Sequence, residues 1–586
     1  MQYAFGPLID DTGIRFRLWA PSQSHVDLLL PDRAPLAMQR ADDGFWNVHV
    51  DGVAAGTRYR FRANGHDFAD PASRRQERDV TGWSVVWPGL GRRPRPSPLR
   101  PWYETILCEV HVGTASPEGT FLGLADRLEH FRDAGYTALE LMPINDFPGQ
   151  RGWGYDGVLP FAPDGAYGTP EDLRRLVDRA HELGIGMVLD VVYNHFGKVG
   201  NTIPLYAPEW FADDVETPWG PGVDFRQAAV RRFYCENAQW WLGELDFDGL
   251  RFDSVHEMHT EARDLFLGEL ARACREVKPD AALVIENVTN QMHWLTRTGD
   301  GRPVDFTAQW NDDFHHVLQF LVTGERIGGY EDERRDPVAD LEKSLADGFV
   351  HDGDADGDSD GRTRNEPASA LPMQAFVSFL HNHDQIGNRP DGQRIVERVD
   401  AGRLDFAHFV LLLSPQIPLF FMGEEAHLRG PFLFFFDLPE PEQSELRDNR
   451  YWQMENVFHT EVEPGSLPDP QDVETFERSK LDWQAYGERQ HREALDRFKE
   501  LVELRRDLVW PLATSKCLES RSARQGNGII VTWAYEAGTY TMMLNPTGEM
   551  TMMEVELNQP VASTGRFEFH NGRIRVWPWS ALVWRS

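Results

Sequence analysis

Over its first hundred residues the chain alternates apolar and polar positions with period two, in short runs cut by turn residues. The clearest runs are GIRFRLWAP (13–21), HVDLLLP (25–31), GFWNVHV (44–50) and RYRFRANG (58–65). Successive strand side chains face opposite sides, so this pattern predicts half-buried strands, and their spacing predicts a β-sandwich. The proline-rich stretch GLGRRPRPSPLRPW (89–102) predicts a linker that closes the unit.

From about residue 103 the rhythm changes. Near-continuous apolar runs alternate with amphipathic helices, as parallel strands buried on both faces require. The runs are TILCEVHV (105–112), TALELMPI (137–144), IGMVLDVVYNH (185–195), FDGLRFDSV (247–255), AALVIENV (281–288), DFTAQWND (305–312), AFVSFLHNHD (375–384) and IPLFFMGEE (417–425). Between the second and third, Thr169 and Pro170 predict a helix start. Leu173, Leu176, Val177 and Ala180 give its buried stripe, and Gly184 its stop. Eight strand–helix units predict a (β/α)8 TIM barrel with loop insertions. An open doubly wound sheet is the alternative, and neither GxGxxG nor GxxxxGK[ST] follows the first strand to favour it.

Beyond about 512 the period returns to two, in NGIIVTWAYEAGTYTMMLNP (527–546), EVELNQPV (554–561) and FEFHNGRIRVWPWSALVW (567–584). The Asn571–Gly572 pair predicts a hairpin turn. The expected organisation is multidomain α/β. It comprises an N-terminal β-sandwich (1–100), a central barrel (101–511) and a C-terminal antiparallel β-domain (512–586).

A chain of 586 residues is too long for one ordinary core, in keeping with this division. Its formal charge of −34 repels nucleic acid and anionic membranes and suits a neutral substrate. Four scattered cysteines form no CxxC pair, and Cys274 shares an apolar helical face with Leu267 and Leu270. MQYAFGPLIDD carries no basic segment followed by an apolar run, and no stretch reaches membrane-spanning length, so a cytoplasmic protein is expected. The chain holds 19 Trp, 14 Tyr and 35 Phe. Most must fill cores, but flat rings also pack well on the C–H faces of sugars.

Barrel sites lie at the carboxyl ends of the strands. Here the third run ends with Asp190, Asn194 and His195, the fourth carries Arg251 and Asp253, the fifth Glu286 and Asn287, and the seventh His381, His383 and Asp384. Three carboxylates, Asp253, Glu286 and Asp384, thus converge on one mouth. Asp253 and Glu286 come from adjacent strands, about 4.8 Å apart in backbone. That suits the roughly 5–5.5 Å carboxyl separation of a retaining glycosidase, in which one acid attacks and the other protonates. Arg251, two residues before Asp253, would keep it ionised, and the neighbouring acids would raise Glu286. Isolated structural ion pairs would explain any one of these acids, but not three at one mouth.

Other features compete for attention. HDGDADGDSDGR (351–362) has Asp352, Asp354, Asp356 and Gly357 at calcium-loop spacing, but Thr363 stands where a bidentate Glu is needed, so an acidic surface loop is expected. His315 and His316, adjacent in sequence, suit a substrate loop with Asp312 and Asp313 better than a metal site. His256 is expected on the leaving-group side. Trp153 either stacks on sugar or packs its loop, and Trp240 and Trp241 are expected in the core. No metal or cofactor is required.

The four strand-end segments DVVYNH (190–195), GLRFDSVH (249–256), VIEN (284–287) and FLHNHDQ (379–385) resemble the signature regions of the α-amylase superfamily of glycoside hydrolases. The resemblance implies Asp253 as nucleophile, Glu286 as general acid/base and Asp384 as transition-state stabiliser. It also implies that Arg251, His195 and His383 hold the sugar in the −1 subsite and that Tyr155 stacks on it. PINDFPGQRGWGYDGV (143–158), QWNDDFHH (309–316), NHDQIGNRP (382–390) and FERSKLDW (476–483) are similar to the maltooligosyltrehalose trehalohydrolase family, whose N-terminal β-sandwich resembles the carbohydrate-binding-like module here. That resemblance implies cleavage of the α-1,4 bond beside a terminal trehalose. ENVTN (286–290) and GEEAH (423–427) depart from the family pattern near the mouth. The four regions alone leave open an endo-α-amylase, a debranching or a branching enzyme. A glucan-binding protein without activity is the non-enzymatic alternative.

Overall fold

The computed structural model describes residues 3–90, 98–217, 219–258, 260–326, 335–351, 368–456, 463, 465–554 and 559–586. The acidic loop at 352–362, and with it the calcium-loop reading, lies outside the described residues, as do parts of the linker and of the 554–561 run.

Eight parallel strands close into a barrel in sequence order. They are β1 (Leu107–Val110), β2 (Ala138–Leu141), β3 (Gly186–Val191), β4 (Gly249–Phe252), β5 (Ala282–Ile285), β6 (Ala308–Trp310), β7 (Phe376–Phe379) and β8 (Ile417–Phe421). Each falls inside one of the eight apolar runs. The closing pair sets Leu107 opposite Leu419. Leu107, Ala138, Val188, Val284, Ala308, Val377 and Leu419 pack together in the interior. Two residues further along the same face stand Glu109, Glu140, Asp190 and Glu286, and Arg251 pairs in register with Asp190. The period of two therefore carries the inward face from apolar floor to charged mouth without any break in the strands.

The helices used below are α1 (Pro170–Glu182), α2 (Ala228–Gly243), α3 (Arg263–Val277), α4 (Asp312–Thr323), α5 (His383–Gly387) and α6 (Glu442–Asn456). Thr169 and Asp172 cap α1 reciprocally, each side chain bonding the other's backbone N–H, and Gly184 follows the helix at φ 74°. Trp240 and Trp241 of α2 and Cys274 of α3 are buried, as their apolar faces require. The 312–316 stretch, expected as a substrate loop, instead opens α4. Asn311 caps it by accepting from Phe314 N–H.

The N-terminal strands form two sheets, one containing Gly13–Trp19 and Phe45–Asp51, the other Val26–Leu29 and Arg58–Ala63. The module docks on the barrel: Glu236 of α2 accepts from the backbone N–H of Ala4 and Phe5, and Phe68 stacks on Tyr206 at 4.1 Å. At the other end, five- and three-stranded antiparallel sheets lie between Cys517 and Arg585. Asn571 and Gly572 turn with positive φ between Phe567–His570 and Arg573–Val576. Among the described residues no helix is long and apolar enough to cross a membrane.

Candidate active site

Arg251, fully buried on β4, organises the mouth. Its Nη1 donates to Asp190 Oδ2 (2.7 Å) and Asp253 Oδ1 (2.8 Å), and its Nη2 to Glu286 Oε2 (2.5 Å). Its guanidinium lies over Trp310 at 4.0 Å. Burial alone would discharge the guanidinium, but the surrounding carboxylates hold it firmly cationic.

The chain leaves β4 through Asp253 into Ser254, which takes a left-handed φ of 39°. That strained turn aims Ser254 N–H (2.9 Å) and Oγ (3.2 Å) at Glu286 Oε2. With three donors on Oε2, a proton on this carboxyl belongs on Oε1. Burial, Asp253 and Asp384 together outweigh Arg251 and raise Glu286 above the ordinary glutamate value. Asp253 accepts on its other oxygen from Asn194 Nδ2 (2.8 Å), so both its oxygens are held. Glu286 is thus held above its ordinary value, while both oxygens of Asp253 are bonded, one by an arginine and the other by an amide.

The third acid is held more loosely. Asp384 lies on the five-residue α5, its side chain 42% exposed. It meets His383 Nε2 at 3.3 Å and accepts from Asn388 Nδ2 at 3.2 Å. Burial works against charge here too, but His383 keeps the Asp384 carboxyl below its ordinary value. Burial likewise disfavours the imidazolium of His383, yet Asp384 and Glu109 hold it well above its usual value. Its Nδ1 is 2.5 Å from Glu109 Oε1.

The remaining expected residues divide. Tyr155 donates to Asp190 Oδ2 (2.8 Å) and its ring stacks on His383 at 5.2 Å. Asp312 faces Glu286 and Asp384, and burial and then those neighbours raise it well above its ordinary value. His256 lies close enough to lower Glu286, and its Nδ1 is buried with no partner among the described residues. These three border the acids directly.

Three others do not have the freedom expected of them. Trp153 is 6% exposed, stacks on Phe432 and donates Nε1–H to Leu433 O (3.0 Å), so its ring packs the loop instead of facing sugar. Asp313 is occupied by the N–H groups of Val350 (2.8 Å) and His351 (2.9 Å) and by Asn290. It ties down a loop. His195 keeps its place at the mouth, but its Nε2–H donates to Tyr155 O (2.9 Å) and burial lowers it to about 4. It is neutral, and its ring lies 3.8 Å from that of Trp219.

Trp219, 37% exposed, was not singled out from sequence; nor were Glu109, Glu140, Ser254 and Trp310. Glu140 is fully buried with both oxygens unpartnered among the described residues, and burial raises it well above its ordinary value. Asp190 is pushed to about 7, chiefly by burial. Beside Trp219 lies a cavity of about 180 Å³, bordered also by Asp156, Lys198, Glu445 and Asn449. His315 is buried on α4 with Nδ1 2.6 Å from Leu380 O. Among the described residues no three His, Cys, Asp or Glu side chains are grouped so as to hold a metal ion.

Residues 71–205 match the family model of the α-amylase catalytic domain, and residues 4–81 match carbohydrate-binding module 48, the isoamylase N-terminal domain. The malto-oligosyltrehalose trehalohydrolase of Saccharolobus solfataricus is 34% identical, with 93% of this chain and 94% of the relative covered. That of Deinococcus radiodurans is 32% identical over 96% and 92%. A Salmonella typhimurium crystal structure superposes with a TM-score of 0.92 at 35% identity, all of both chains being covered. An Anoxybacillus pullulanase complexed with maltotetraose shares the fold, with a TM-score of 0.71 at 16% identity over 99% of this chain and 87% of that one. The chain belongs to the malto-oligosyltrehalose trehalohydrolase family, glycoside hydrolases of the α-amylase type.

Proposed function

We propose that this glycoside hydrolase cleaves the α-1,4-glucosidic bond next to the terminal trehalose of a maltooligosyltrehalose, releasing trehalose and a maltooligosaccharide with retention. The observation that carries the chemistry is the single guanidinium of Arg251 shared by Asp253 and Glu286. A carboxylate and a raised carboxylic acid side by side are the pair that double displacement needs. The names of the relatives support the trehalose end.

Asp253 attacks the anomeric carbon, and the bond from that carbon to the trehalosyl oxygen breaks. Glu286 gives its proton to the departing oxygen, and trehalose leaves. The carboxylate so formed takes a proton from water, whose oxygen attacks the same carbon and frees Asp253. Asp384 binds sugar hydroxyls as the ring flattens and positive charge builds, and Asp312 and His256 border the acceptor side. Tyr155 lines the −1 position, where Arg251, His195 and His383 hold the acids and the wall in place. The protein supplies the whole reaction from its own side chains. We assign the sandwich to 1–100, the barrel to 101–511 and the last sheets to 512–586. We place the enzyme in the cytoplasm, a reading supported by the four free cysteines.

The test is a matched pair of substrates, maltotriosyltrehalose and maltopentaose. Release of free trehalose much faster than any cleavage of maltopentaose is expected. Equal cleavage of both, or transfer of chains to sugar, overturns the trehalose assignment and leaves the fold untouched.

A further inference from the structure

A five-residue helix cannot hold itself together in water, so α5 must be fixed from outside at both ends. At its N-terminus Asn382 accepts from Asp384 N–H (2.9 Å), and Gln385 Oε1 accepts from Asn382 N–H (2.8 Å). Its C-terminus is held from another element, the helix α6 inserted after β8. Arg450 of α6, 7% exposed, donates Nη2–H to Gly387 O (2.7 Å) and Arg389 O (3.1 Å). Its Nη1–H bonds Asn388 Oδ1 (2.9 Å). The Nδ2 of the same Asn388 donates to Asp384 Oδ1 (3.2 Å). One cation thus satisfies the open carbonyls of the helix end and fixes the amide that orients the carboxylate.

We propose that Arg450 is a positioning residue for the reaction, setting Asp384 through Asn388 and the C-terminus of α5. This rests on the assignment of Asp384 as the group that stabilises the transition state. Among the three acids Asp384 has the greatest need of such help, being the most exposed and the most weakly bonded. The same helix lines the cavity beside Trp219 with Glu442, Glu445 and Asn449, and Glu445 pairs with Lys198 at 2.8 Å. The helix that borders this cavity is therefore the helix that holds Asp384.

The experiment is a set of kinetic comparisons on maltotriosyltrehalose. Arg450→Met is expected to lower kcat by about 10- to 100-fold, the scale of a small misplacement of a reacting group, with KM changed far less. Arg450→Lys should recover part of the loss, since a lysine can reach one carbonyl but cannot form the three-way grip. In an Asp384→Ala background, Arg450→Met should lower the residual kcat hardly at all, because the group it positions is gone. Asn388→Ala removes the link while leaving the guanidinium its bonds to the Gly387 and Arg389 carbonyls, and should reproduce most of the kcat loss; it serves also if Arg450→Met does not fold. An unchanged kcat in Asn388→Ala, or an equal fold-loss from Arg450→Met with and without Asp384, overturns the proposal. A fully active Asp384→Ala enzyme would instead refute the role given to Asp384 itself.

Discussion

Replacing Arg251 with methionine tests the electrostatic core of the site. The guanidinium is 0% exposed and serves Asp190, Asp253 and Glu286, whose side chains are only 2%, 12% and 15% exposed. Removing one partner of a buried ion pair destabilises by about 3–5 kcal/mol, because the remaining charge is left uncompensated. At roughly 2 °C per kcal/mol for a large domain, Tm should fall by about 6–10 °C. The loss should depend on pH with a definite sign. Asp190 is already at about 7 and Glu286 is raised in the folded protein, and without the arginine both rise further above their unfolded values. A carboxyl raised on folding weakens the fold only where the unfolded state has lost its proton. The deficit should therefore be largest at the alkaline end, about pH 8, and shrink toward about pH 5, as the carboxyls become protonated in the folded state of parent and variant alike. Thermal unfolding of parent and variant across that range, followed by circular dichroism, reads it directly. A deficit of equal size at every pH, or none at all, would refute the assignment of Arg251 as the charge-balancing group.

Glu286 is raised by burial, so the alkaline limb of kcat/KM should lie above the ordinary glutamate range, and Glu286→Gln should remove that limb with a loss of about 10²–10⁴-fold. A limb unchanged in the variant would assign the proton elsewhere. Lys278, buried beneath the barrel, donates to Asp248 Oδ1 (2.9 Å) and Phe247 O (2.8 Å). Lys278→Met should lower stability by about 3–5 kcal/mol while the folded fraction keeps its kcat. A lower kcat at unchanged Tm would contradict this. Trp153→Phe keeps the stack on Phe432 and loses only the bond to Leu433, a change of about 1 kcal/mol, so KM should move less than about 2-fold. A tenfold rise in KM would put that ring on the sugar after all.

Much of this was legible in the residues. All eight barrel strands lie within apolar runs because burial on both faces leaves no other composition open to them. Arg251 and Asp253 stood out as charges in such a run. The same signal was present in LCEV and LEL, where Glu109 and Glu140 interrupt β1 and β2, and it marks the same charged ring. What pattern could not supply is direction and occupancy. Trp153 and Asp313 have suitable chemistry, but their polar atoms are spent on Leu433 and on the 350–351 backbone, contacts far away in sequence. The helix α6 was invisible because PEQSELRDNRYWQMEN has no clear apolar stripe. Its importance rests on one buried arginine whose partners lie more than sixty residues earlier. The departures in ENVTN and GEEAH also read differently in three dimensions. Glu424 is pinned by His408 (3.0 Å) and Glu425 by His130 (2.8 Å), so those acids brace the rim, whereas Val288 is 54% exposed.

The central claim is double displacement by Asp253 and Glu286 beside a terminal trehalose. Proton NMR of the first products from maltotriosyltrehalose, recorded before mutarotation, tests both parts at once. The account predicts free trehalose together with a new reducing end in the α configuration. A β-configured reducing end would contradict the covalent role of Asp253, and a spectrum without free trehalose would contradict the bond assigned to this enzyme.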